Sequence, residues 1–210
     1  MKPLILGVLF LGTAGAQSNE GAEDMLRARA DLIRGSARAF AISPRLLASV
    51  VYAEHALNLR PGESVLEEVF ARTGYNVSIG IAQIKVETAV WIEQNLHDPS
   101  SRFFLGEEAS ELIRKSGSYK ELIDRLSADS VNLRYASAYL AMIEKLWGST
   151  LQAPWLQNSR VGIFATVYSL GIAKSDGSLR LPHDQARMGD FGRKAQAFYD
   201  SFLLNSEFSE

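Results

Sequence analysis

Apolar residues return every three or four positions along most of this chain, the period of a helix that buries one face. That spacing predicts helices over residues 24–40, 43–58, 64–72, 86–96, 106–116, 118–127, 130–147, 159–170 and 187–204. Ser43-Pro44 is a start signal, a capping hydroxyl followed by proline at the first helical position. Pro61-Gly62, Gly74 and Gly117 act as breakers between the helices they separate. The stripe over 130–147 is Val131, Tyr135, Ala138, Tyr139, Met142 and Leu146, and that over 187–204 is Phe191, Ala195, Phe198 and Phe202. Residues 75–84 read as a loop or short extended piece, and residues 172–186, with Gly177 and Pro182, as a surface loop. No run of alternating strands and no internal repeat is present. The expected fold is all-α, or α+β at most by a minor hairpin, built as a single domain over residues 17–210.

The first residues carry a different pattern. Met1-Lys2 is a positive start, Pro3 to Gly12 an apolar run, and Ala14-Gly15-Ala16 the small residues that signal peptidase accepts. Residues 1–16 are therefore expected to be a signal peptide, too short to anchor in a bilayer, and the mature chain to be exported, periplasmic or secreted. The alternative is a buried N-terminal helix. With 22 basic and 24 acidic residues the formal charge is −2, which gives no electrostatic reason to bind nucleic acid or an anionic membrane surface. There is no cysteine, so disulfides, thiol catalysis and thiolate metal sites are excluded. His55, His97 and His183 stand in no metal-ligand spacing, and neither metal nor cofactor is expected. The chain is expected to be monomeric.

The chemistry begins where the stripe of one helix breaks. Leu47, Val50 and Val51 set the apolar face after Ser43, Leu57 continues it, and Glu54 occupies the position between. A carboxylate on a buried face escapes the cost of desolvation by a raised pKa, from about 4.3 toward about 6, where it suits a general acid. The competing reading pairs Glu54 with Arg60 or Arg72 at the edge of the stripe. Two further features stand out. Ser78-Ile79-Gly80-Ile81-Ala82-Gln83-Ile84 combines a permissive glycine with an amide among apolar neighbours. Tyr168 shares a stripe with Val161, Phe164 and Ala165, so its hydroxyl needs a partner, in a site or in an ordinary core.

Taken in order, these features resemble the lytic transglycosylases and goose-type lysozymes, which cut glycan strands. The likeness is carried by Pro44, Leu46, Leu47, Val50, Val51 and Glu54; by Ser78, Gly80, Ile81, Ala82, Gln83, Ile84, Thr88 and Ala89; and by Ala165, Tyr168 and Gly171. Asn132-Leu133 with Ala138-Tyr139-Leu140 adds a fourth segment, and together they span residues 27–171. The resemblance implies a lysozyme-like domain with a substrate groove and peptidoglycan as partner. It implies Glu54 as acid at the bond between N-acetylmuramic acid and N-acetylglucosamine, with Tyr168 bonded to Glu54 and orienting it. Gln83 and the backbone of Gly80, Ile81 and Ala82 would line the groove, with Ser78 in support. Tyr75 would supply a groove aromatic. The chain departs from the family pattern at His55, where serine is usual, at Ser169-Leu170 in the tyrosine segment, and at Lys85-Val86. His55 reads either as a groove residue or as a solvated helix residue beside the acid. A hydrolytic muramidase, whose second carboxylate would come from Glu63, Glu67 or Glu68, and a non-catalytic glycan-binding protein of the same fold are the rival readings.

Overall fold

A computed structural model describes residues 14–58 and 78–209. The helix expected over 64–72, together with Tyr75, Arg60, Arg72, Glu63, Glu67 and Glu68, lies outside the described residues. So do residues 1–13 of the expected signal peptide, whose cleavage point after Ala16 falls in the first turn of the first helix.

The described helices are α1 (Ala14–Ala28), α2 (Ala30–Ala39), α3 (Pro44–Asn58), α4 (Val86–Leu96), α5 (Glu107–Leu112), α6 (Tyr119–Leu126), α7 (Asp129–Trp147), α8 (Pro154–Gln157), α9 (Arg160–Leu170), α10 (Asp190–Asp200) and α11 (Asn205–Phe208). Strands β1 (Ser78–Ile79) and β2 (Ile84–Lys85) pair as one antiparallel hairpin, with Ser78 opposite Lys85 and Ile79 opposite Ile84. The chain is thus mostly helical with a minor hairpin. Among the described residues the buried hydrophobic side chains form one cluster.

Helix α7 is the centre of the molecule. From Tyr135 to Ile143 every residue is buried, so the helix has no solvent face over two turns. Helices α2 and α9 pack on it, as do α4 and α6, while α3 packs against α1, α2 and α10. Helix α3 starts as its sequence dictates, with the Leu46 amide donating to Ser43 Oγ at 3.4 Å ahead of Pro44. Helices α9 and α10 cross at two glycines, where a Cβ on Gly192 would overlap the Gly162 carbonyl oxygen and Thr166 Oγ1. Thr166 fixes that crossing, donating to the Gly162 carbonyl at 2.7 Å and accepting from the Gly189 amide at 3.0 Å.

Three expected helices differ in extent. The one over 24–40 is two helices meeting at Arg29, whose guanidinium holds Asp129 at the start of α7 at 2.9 Å. The helix over 106–116 stops at Leu112, where Ile113 turns extended. The helix over 187–204 is confined to Asp190–Asp200, and Phe202, assigned to its buried stripe, is 91% exposed. The cause is distant in sequence. Arg45, buried at the start of α3, donates to the carbonyls of Phe198, Tyr199, Ser201 and Leu203 and so occupies the end of α10.

Among the described residues two glutamates are buried, Glu54 and Glu93. Glu93, on α4, is enclosed by donors of its own chain. Its carboxylate accepts from Tyr135 Oη at 2.5 Å and from the Ser116 hydroxyl and amide at 2.8 and 2.9 Å, with Arg125 at 3.5 Å. Burial and the neighbouring carboxylate push the Tyr135 hydroxyl far above the ordinary tyrosine range.

Candidate active site

Glu54 lies three turns into α3 and is only 7% exposed, on the face that Leu47, Val50 and Val51 make apolar. Leu57, which continues that face in the sequence, is instead 50% exposed. Beside Glu54 opens a cavity of ≈ 310 Å³. The hairpin contributes Ser78, Gln83, Ile84 and Lys85 to its wall, and α4 contributes Thr88. The rest of the described lining is Tyr139 from α7 with Tyr168, Ser169, Leu170 and Gly171 from the end of α9. Among the described residues of this lining Glu54 is the only anion and Lys85 the only cation.

The hairpin turn beside the acid is held by side chains from three helices. Gly80 and Gln83 take left-handed backbone angles, φ +76° and +48°, and the Gln83 amide closes the turn on the Gly80 carbonyl at 3.0 Å. Asn132, fully buried on α7, accepts from the Ala82 amide at 2.8 Å and donates to the carbonyls of Ile79 and Leu126 at 2.7 and 3.0 Å. A Cβ at position 80 would overlap the Asn132 amide, so glycine is required there for space as well as for its angle. Tyr168 donates its hydroxyl proton to the Ala82 carbonyl at 2.6 Å. His55 bonds to the Ile81 carbonyl from α3. Gln83 turns its own amide back to the Gly80 carbonyl at 3.0 Å.

These contacts place the expected site residues in two groups. Glu54, Ser78, Gln83 and Tyr168 line the cavity, whereas Gly80, Ile81, Ala82 and His55 do not and form or brace the adjoining turn. The Tyr168 hydroxyl donates its one proton to the Ala82 carbonyl, which leaves its oxygen able to accept, and Glu54 lies near enough for its charge to act on that hydroxyl. Burial, then the nearby charge of Glu54, raises the Tyr168 hydroxyl well above the usual tyrosine range, so it remains a donor. Tyr139, its ring 5.5 Å from that of Tyr168, accepts from the Ile172 amide at 2.8 Å and is pushed up to about 12, chiefly by burial. His55 is half-buried and does not line the cavity. Burial holds its pKa below the ordinary 6.5, opposed by the bond to Ile81 and by Asp129.

Asn132 is the main residue that sequence reasoning undervalued. It sits at the i position of a stripe continued by Tyr135, Ala136 and Tyr139, and an amide on a buried stripe must have partners. Among the described residues no cluster of three metal-ligating side chains occurs, and no helix is long and apolar enough to cross a membrane. No family model matches this chain, and no curated protein matches it.

Proposed function

We propose that this chain is an exported lytic transglycosylase of the lysozyme-like kind, cutting the β-1,4 bond between N-acetylmuramic acid and N-acetylglucosamine in peptidoglycan. The observation that carries the reading is Glu54 itself, a buried carboxyl on an apolar helix face that opens on a polar cavity. Segments of the chain more than 100 residues apart, each bearing part of the resemblance, meet around it. The reading requires Glu54 to carry its proton when it acts as general acid.

In this reaction the Glu54 proton passes to the glycosidic oxygen as its bond to C1 of the muramic acid breaks. The substrate's N-acetyl group stabilises the positive charge at C1. The sugar's 6-hydroxyl then bonds to C1 and returns its proton to Glu54, closing a 1,6-anhydro ring without water. A second carboxylate, which a hydrolase uses to activate water, is not needed. The turn at Gly80–Gln83, braced by Asn132, Tyr168 and His55, holds Gln83 in the cavity lining.

Mass spectrometry of muropeptides released from purified sacculi tests the reaction type. Anhydromuramic ends are the expected product; reducing ends alone would assign a hydrolase instead. The non-catalytic reading draws on the departures beside the two residues, His55 next to Glu54 and Ser169-Leu170 next to Tyr168. Protein that sediments with sacculi yet releases no fragment would decide for a binding protein.

A further inference from the structure

We infer that Lys85 makes this site selective for glycan strands that carry a carboxylate next to the bond to be cut; the inference rests on the glycan-cutting reading above. Lys85 ends β2 and lines the same cavity as Glu54. It stands opposite Ser78 in the hairpin, and residues directly opposite in an antiparallel pair project to the same face, which here is the cavity wall. Its backbone is fixed on both sides, by the strand pairing before it and by the start of α4 after it.

Among the described residues of the lining, these two carry the charge. With Glu54 protonated, as a general acid must be before it acts, that described lining keeps the positive charge of Lys85 and no negative one. A neutral polysaccharide laid over Lys85 would strip water from an ammonium and return nothing for it. A strand bearing a carboxylate at that place offers a charge-assisted hydrogen bond instead. Two parts of peptidoglycan supply this chemistry: the lactyl carboxylate of muramic acid once its peptide is gone, and the carboxylates of the stem peptide.

The test measures binding, with cutting suppressed by Glu54→Gln, which mimics the protonated acid. Strands with stem peptides and strands stripped of them are each compared before and after conversion of their carboxylates to methylamides. Carboxylate strands should bind about fivefold more tightly, the size of one well-placed exposed ion pair. The preference should vanish in Lys85→Met, survive in Lys85→Arg and fade as salt rises. Confinement to stripped strands would name the lactyl group, and confinement to peptide-bearing strands the stem. A preference that persists in Lys85→Met, or equal binding of charged and amidated strands, would overturn the inference and leave the glycan reading standing. Binding to no strand at all would bring down both.

Discussion

Asn132 commits its whole side-chain amide to one turn, and that turn borders the acid. Its loss in Asn132→Ala strands a buried amide at Ala82 and carbonyls at Ile79 and Leu126. At 1–3 kcal/mol for a buried polar group left without a partner, about 3 kcal/mol of stability should go, read as a lower urea midpoint. Asn132→Asp should fare no better, because an oxygen would then face both carbonyls. His55 makes a second residue-level prediction. The folded chain binds the His55 proton less tightly than the unfolded chain, since burial holds its pKa below 6.5. Stability from this group is fully present above 6.5 and is lost as pH falls below that value toward the folded pKa. The melting temperature should therefore fall on acidification through that window, and more steeply than in His55→Gln, which has no group there that titrates.

At the scale of elements, helices were legible wherever a 3.6-residue stripe met a local stop. Ser43-Pro44 opens α3 where the sequence predicts, and α4, α7 and α9 keep their expected bounds to within a residue. Ends set by distant partners were not legible. Arg45 terminates α10 from about 150 positions away, and nothing near Ser201 announces it. The crossing of α9 and α10 is another long-range feature, made possible by Gly162 and Gly192. Gly192→Ala would drive a methyl group into the Gly162 carbonyl and Thr166, and should cost about 3 kcal/mol, at the upper end of overpacking. Thermal melts of the two proteins measure it directly. Periodicity also marks two glutamates alike: Val86 and Ala89 precede Glu93 on a buried face much as Leu47 and Val50 precede Glu54. Only the surroundings tell them apart, because Glu93 is enclosed by Tyr135 and Ser116 while Glu54 opens on a cavity.

Across the whole molecule, α7 is the piece that turns separate motifs into one site. Its Asn132 grips the hairpin, and its Tyr139 packs on Tyr168 of α9 and lines the cavity beside α3. Glu54 stands out because it breaks an apolar stripe, whereas Ser78, Gln83 and Tyr168 take their weight from the resemblance. The division of the site residues into cavity wall and supporting turn was not legible, since hydrogen bonds spanning 50 to 86 positions decide it. The claim at the centre is that one buried carboxyl does the proton transfer. Release of soluble fragments from sacculi, followed for the native chain and for Glu54→Gln at equal concentration, measures that claim most directly. Loss of the general acid should slow release by about 10³-fold while the helical signal and melting temperature stay close to those of the native chain. Equal release by the two proteins would contradict it.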